Sequence, residues 1–455
     1  MRANNSHARN HTMIRYTLAL LLLCAPGFLQ AQDSAYSLEA SVLYALEHHA
    51  SVKNALLEEQ VAERKIDQLK GAGTPQLNFS GEINDFIDVP TSFVPGDFFG
   101  GAPGSYVPVQ FGQQYSAAGG INFNQLLFEG SYIVGLQAAK NYRELSRKQT
   151  RQSKTEVAVN VTKAYYGALV ADARLAIVEA NITRVNKLLT ETAALNKAGF
   201  TEKLDVDRLE LAYNNLLVER EKVLSFKLLG YLLLKFHMGY PYDKEIVLTE
   251  NLEEISTRKN TIPEKINTEN RPEFQSLRAS RDLQALDVKL QRYSYLPSVV
   301  AIGTFSYNNA RTQFDFFDPS LRWYPTTLIG ARLNVPIWTG LQKSAKVSQA
   351  RLNLQKIDNS IELMRNTFAL ELAGASKNYQ NILMSLEITR KNRELAKEIS
   401  RVAKVKYESG IGSSLELVDA ESSLREADAN YFSTLYELLI SRLEVEKASG
   451  AITID

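Results

Sequence analysis

The chain has 455 residues, with 52 basic and 51 acidic side chains. So even a balance excludes a nucleic-acid binder that works by bulk attraction to phosphate. Hydrophobic residues make up 45% and there are only 13 prolines, which permits long helices and a large buried area.

Residues 1–12 are polar, and Met13 opens the stretch MIRYTLALLLLCAPGFLQAQ. Arg15 supplies a positive start, 17–24 an apolar run and Ala31 a small residue for cleavage. That is the plan of a secretory signal peptide over 1–31, with Met13 as an alternative start. Leu23 stands where lipidation of Cys24 needs a small residue, so no lipid anchor is expected. The leader holds Arg2, Arg9 and Arg15 and no acid; without it the chain carries 49 basic and 51 acidic residues and no cysteine. Neither a disulfide nor a thiolate metal site can then form. No later apolar run has the length of a membrane-spanning helix, so entry into a membrane would be by β-strands.

A helical segment over 38–70 comes next. In QLNFSGEIN, Leu77, Phe79 and Ile83 alternate with polar residues, and GINFNQL repeats the alternation at Ile121 and Phe123. Each reads as a strand with one apolar and one polar face. The loop between them, 85–114, is rich in Pro, Gly and Phe. A very long helix follows: Val157, Val161, Ala164, Ala168, Ala171, Leu175, Val178, Ile182, Val185 and Leu189 are spaced four and three in turn, a coiled-coil seam. Gly199 interrupts it, and a return helix runs to Gly239.

The chain then repeats itself. Pro75, Gly130, Gly199 and Gly239 have counterparts at Pro297, Gly340, Gly410 and Gly450, at offsets of 222, 210, 211 and 211. The repeats are 32–239 and 271–455, joined by a polar linker at 240–270. The second repeat has its own helical segment at 271–295 and strands in SVVAIGTFSYN and TLIGARLNVPI around a loop at 308–324. Its seam runs Ile357, Ile361, Met364, Phe368, Leu372, Ala375, Tyr379, Ile382, Leu386, with one extra step of four that relaxes the supercoil. NQLLFEG, ending at Gly130, and NVPIWTG, with Pro336 and ending at Gly340, are the strand-to-helix junctions. From junction to interrupting glycine is 69 residues in one repeat and 70 in the other, a rod of about 100 Å. A half-buried sheet in a soluble domain would show the same strand pattern, but the leader and the missing core partner favour a membrane barrel with a wet interior. Four strands cannot close a barrel; two chains would supply eight, whose interior fills with side chains, and three would supply twelve and leave a channel.

The order and spacing of these landmarks resemble the TolC family of outer-membrane efflux channels across the whole mature chain. The resemblance implies a mixed α and β membrane protein: a trimeric twelve-stranded transmembrane β-barrel, four strands per chain, continued by a long periplasmic α-helical barrel of coiled-coil hairpins. It implies a passive conduit for efflux or type I secretion, seated in outer-membrane lipid and docked to a periplasmic adaptor and an inner-membrane pump. Such a protein is not an enzyme. Consistent with that, no set of His, Cys and carboxylates has metal spacing, and no phosphate loop or nucleophile motif occurs. No cofactor, metal or nucleic acid is expected. The competing reading, a periplasmic coiled-coil adaptor, would carry one hairpin between small β-domains, without this duplication.

In this family, function would lie at the tips where the helices reverse. Gly199 and Gly410 suit a left-handed turn, and Thr201, Ser413 and Ser414 can cap the next helix. Six residues past each glycine stands an acid, Asp205 or Glu416, and Asp419 shares the face of Glu416. The residues alone also allow these acids to be first-turn partners of the helix dipole. The resemblance makes Glu416 and Asp419 a ring at the narrow entrance, which would favour cations, and Tyr407 the gate tyrosine. It also implies an arginine two residues past the second glycine, where this chain has Gly412. Asp205 lacks the usual arginine too, with Arg208 as its expected substitute.

Overall fold

The computed structural model describes residues 35–98, 100–257 and 268–452. The expected signal peptide and residues 258–267 of the expected linker lie outside them. Two long hairpins form the body: α3 (Gly130–Lys197) with α4 (Lys203–Met238), and α7 (Gln342–Glu408) with α8 (Ser414–Ser449). Two shorter helices, α2 (Ala50–Ala72) and α6 (Pro272–Tyr293), pack on the upper parts of α3 and α7. Each long helix is thus lined by a short helix and then a return helix, as the sequence reading expects. The first helical segment is broken, however. It divides into α1 (Leu38–His48) and α2 because His49 is extended, at φ −66° and ψ 132°, and its Nδ1 accepts from the Ser51 N–H at 3.2 Å. No periodicity marks that break.

The predicted seam of α3 is the core. Val157, Val161, Ala164, Ala168, Ala171, Val178 and Val185 are buried, and Leu175, Ile182 and Leu189 are half-buried. Around it gather Tyr36, Val52, Leu234, Met238, Leu435 and Leu439 from four other elements, an apolar cluster that supplies most of the burial energy here. Burial also pushes the Tyr165 phenol up, well above its ordinary range, so it stays a donor, to the Tyr36 carbonyl at 3.1 Å. The seam of α7 differs: Phe368 alone is buried and its other eight members are half-buried. The linker is more structured than its polarity suggests. Within it, β6 (Val247–Leu248) pairs in parallel with β1 (Ala35–Tyr36), and Leu252 and Ile255 of α5 (Leu252–Thr257) join the core.

The four expected strands form one antiparallel sheet, in the order β2 (Gln76–Asp85), β5 (Tyr115–Glu129), β7 (Ser298–Arg311), β8 (Tyr324–Asn334). The inner pair is longer than its sequence pattern, at 15 and 14 residues, because β5 continues to the junction and β7 reaches into the loop. β8 stops at Asn334, short of the expected Val335 and Ile337, since Pro336 has no N–H to give a ladder. Register aligns Leu77, Phe123, Gly303 and Ile329 on one face. On the other, Asn122 stands opposite Thr304 and diagonal to Ser80, closely enough for a hydrogen-bonded ladder. The Asn122 amide donates to Ser80 Oγ at 2.9 Å, and the Thr304 hydroxyl donates to Asn122 Oδ1 at 3.1 Å. The apolar face has no cover: Leu77, Phe79 and Ile329 are 68%, 77% and 89% exposed. The loop over 85–114 carries a small hairpin of its own, β3 (Thr91–Pro95) with β4 (Tyr106–Gln110).

The junctions are not alike. β5 runs directly into α3 at Gly130, whose Cα lies so close to the end of α6 that a Cβ would fall 2.7 Å from Leu296 Cδ1. At the second junction residues 335–341 form no regular element, and Gly340 and Leu341 both take left-handed φ, 58° and 64°. Equal spacing in sequence therefore hides two different entries into the rod.

Candidate functional site

Both hairpins reverse through the expected left-handed glycines, Gly199 at φ 82° and Gly410 at φ 73°. Each turn closes the same way, with the residue after glycine donating back to the last helical turn: Phe200 N–H to the Leu195 carbonyl, and Ile411 N–H to that of Lys406, both at 2.9 Å. These bonds satisfy carbonyls that the helix end leaves open. Phe200 and Ile411 are left 78% and 83% exposed at matching positions, a feature that spacing alone did not mark. The capping prediction holds only for Ser413, which accepts from the Glu416 N–H at 3.1 Å. Thr201 instead donates to the Thr192 carbonyl at 3.3 Å, and Glu202 stands at the N-cap of α4 without a side-chain cap bond.

The tips are bound to each other within one chain. Leu188, Leu209, Ala403, Leu417 and Ala420 form an apolar cluster across all four helices. The Tyr407 hydroxyl meets the Thr192 hydroxyl at 2.8 Å, so the expected gate tyrosine bridges the two hairpins. Ser414 Oγ donates to Asp205 Oδ1 and accepts from Arg208 Nη1 at 3.2 Å. Arg208 also lies 3.9 Å from the Asp205 carboxylate. The substitute partner expected for Asp205 is in place, with Ser414 between the hairpins. Higher up, Arg184 pairs with Glu421 at 2.7 Å, and Ser400 Oγ donates to the same carboxylate at 2.6 Å. No motif flagged Arg184 or Glu421. Both are mid-helix charges, and only the packing of α3 against α8 turns them toward each other.

Glu416 and Asp419 are exposed and share one open groove of about 490 Å³ with Lys406. Lys406 Nζ reaches Glu416 at 2.9 Å, a cation the sequence reading did not assign. Asp205, held by Ser414, does not line that groove. The two acids that equal spacing made counterparts have different surroundings. Gly412 accounts for the missing arginine: its backbone lies against the end of α7, where a Cβ would fall 2.9 Å from Lys406 Cβ. Gly412→Arg therefore lowers stability by about 1–3 kcal/mol through overpacking. Thermal unfolding checks this, and a raised midpoint contradicts it. Among the described residues no group of three or more His, Cys, Asp or Glu could hold a metal, and no helix is long and apolar enough to cross a membrane.

A four-stranded sheet with a bare apolar face, mounted on paired helical rods, suits a subunit that enters a membrane through its strands. The family model for outer membrane efflux proteins matches residues 43–216 and 267–451, and the chain belongs to that family, the TolC family of outer-membrane channels. It is 23% identical over 337 residues to the outer membrane protein TolC of Vibrio cholerae serotype O1, covering 73% of this chain and 76% of that one. It is also 23% identical over 346 residues to the toluene efflux pump outer membrane protein TtgC of Pseudomonas putida, covering 74% and 69%. Among solved structures it resembles CusC, at a TM-score of 0.72 and 16% identity over 90% of this chain and 91% of that one. The Campylobacter jejuni outer membrane channel CmeC matches at 0.72 and 16%, over 91% and 85%. The protein is located in the outer membrane.

Proposed function

We propose that three copies close their sheets into a twelve-stranded β-barrel in the outer membrane, continued by an α-helical barrel in the periplasm. The assembly is a passive conduit for efflux or type I secretion, from the periplasm to the exterior. The observation that carries this reading is the pair of free edges. β2 and β8, 10 and 11 residues long, each pair on one side only. Long bare edges template further pairing, and closure into a barrel removes them. Four strands per chain and a lumen lined by the Ser80–Asn122–Thr304 ladder suit a wet channel. The helices support the same assembly. α7 leaves Leu363, Leu370, Met384, Ile388, Leu395, Ile399 and Val402 exposed, and α4 leaves Leu204, Leu211 and Val218 exposed at steps of seven. Stripes of this kind are seams waiting for neighbouring helices.

The gate is at the tips. Tyr407–Thr192, Asp205–Ser414–Arg208 and Arg184–Glu421 hold one hairpin to the other, and opening moves α7 and α8 away from α3 and α4. Glu416 and Asp419, repeated by threefold symmetry, form carboxylate rings at the mouth. The exposed Phe200 and Ile411 offer apolar footing there for a periplasmic adaptor, through which an inner-membrane pump is engaged. Bilayer recording tests the conduit, and absence of conductance in every state and variant contradicts it. In that assay Glu416→Gln with Asp419→Asn raises the cation concentration for half block from the periplasmic side by about tenfold, equivalent to about 1.4 kcal/mol. Unchanged block refutes the role of these acids.

A further inference from the structure

Among the described residues, the hairpin β3–β4 stands largely apart from the rest of its own chain. Its two strands pack on each other and closely on no other helix or strand. One face shows Phe93 and Tyr106, both 71% exposed, with Pro95 and Pro108 between them. Ile87, on the stem from β2, is 93% exposed. From 86 to 114 there is no basic residue, and the charges are Asp88 and Asp97, both exposed. A surface without cations does not fit the phosphates of a lipid headgroup. It fits an apolar, aromatic or cationic partner.

The loop over 312–323 has that character. Phe314, Phe316, Phe317 and Trp323 form an aromatic knob, with ring centroids 5.8 Å apart for Phe314–Phe316 and 6.1 Å for Phe316–Trp323. Phe317 stands 81% exposed on it. Arg322 is exposed, lies 5.6 Å from the Tyr324 ring, and forms no ion pair among the described residues. Within one chain the two features leave opposite edges of the sheet. The hairpin follows Asp85, the end of β2, and the knob precedes Tyr324, the start of β8. Wherever β2 of one copy pairs antiparallel with β8 of the next, those two ends lie side by side. Asp88 is then three residues beyond one end and Arg322 two residues before the other.

We propose that the stem and hairpin over 86–114 dock on the aromatic loop 312–323 of the neighbouring copy, forming a clasp at the loop end of the barrel. The clasp rests on the threefold closure proposed above. It joins the exposed aromatic face to the knob and sets Asp88 against Arg322. It thereby covers the outermost part of each joint, where strand pairing ends and β2 and β8 would fray.

The test uses full-length protein in a Cys24→Ser background, which has no other cysteine. Ile87→Cys with Phe317→Cys is treated in detergent with a short bismaleimide, while light scattering on the same sample gives the mass. The clasp predicts a trimeric mass together with covalent dimer and trimer bands on a denaturing gel. Each single-cysteine variant gives monomer. A trimeric mass with only monomer or internally linked chains overturns the clasp and leaves the barrel standing; a monomeric mass overturns both. As a second measurement, Asp88→Lys and Arg322→Glu are compared by the temperature at which the trimer dissociates in detergent. Each alone lowers it and the pair restores it. A double variant no better than the worse single one contradicts the contact.

Discussion

Arg184→Ala combined with Tyr407→Phe opens the channel. Arg184 is the cation on Glu421, whose side chain is only 11% exposed, and its loss leaves that carboxylate with Ser400 alone. Removing one partner of a buried pair costs several kcal/mol, but Arg184 is itself 32% exposed, so solvent reduces this to about 2 kcal/mol. Tyr407→Phe removes a hydrogen bond between hairpins, about 1 kcal/mol. The two sites lie about 12 Å apart along α3 and share no partner, so their effects add. Together they shift the closed-to-open ratio by on the order of a hundredfold. The readout is mean conductance in bilayers, with far-ultraviolet circular dichroism unchanged. Wild-type conductance in a correctly folded variant contradicts the assignment of these contacts as the lock.

Arg271→Ala lowers stability by about 2 kcal/mol, since Glu371 is 47% exposed and solvent screens the charge left behind. Arg271 occupies the N-cap position of α6, where the second repeat begins, and its side chain is 4% exposed. It pairs with Glu371 of α7 at 2.7 Å and Glu273 at 3.4 Å, and its guanidinium lies 3.5 Å from the centre of the Phe368 ring. Phe368 is the one buried member of the α7 seam, so the substitution strips cover from the best-packed point between α6 and α7. It also leaves Glu371 without its cation. Arg278→Ala is the control: its pair with Glu269 is 60% exposed on both sides and is worth under about 1 kcal/mol. Denaturant titration of both variants checks the contrast, and equal midpoints contradict it.

Much of this architecture was legible because it is periodic. The four-and-three spacing of the α3 seam, the alternation in the four strands and the glycines at 199 and 410 are local signals, and local physics enforces them. The break at His49 left no such signal, since it is one extended residue between two helical stretches. β3 and β4 were hidden in a loop rich in Pro and Gly. The two junctions looked equivalent because spacing records distance along the chain and not the path of the backbone. At the tips, Gly199, Gly410, Tyr407 and the acids could be named from position. The contacts of Arg184 with Glu421, Lys406 with Glu416 and Ser414 with Asp205 could not, because each joins residues set together only by packing. The absent arginine at 412 looked like a missing lock. Gly412 lies close against Lys406, so a side chain there would crowd the end of α7, and the contacts proposed as the lock lie on the flanks of the hairpins instead.

The central claim is that a sheet with two free edges closes with two further copies. The direct measurement is the number of chains per particle, from light scattering of the protein purified from outer membranes in mild detergent. Three chains per particle is the predicted result. One or two would leave β2 and β8 without the partners this account gives them, and would contradict it.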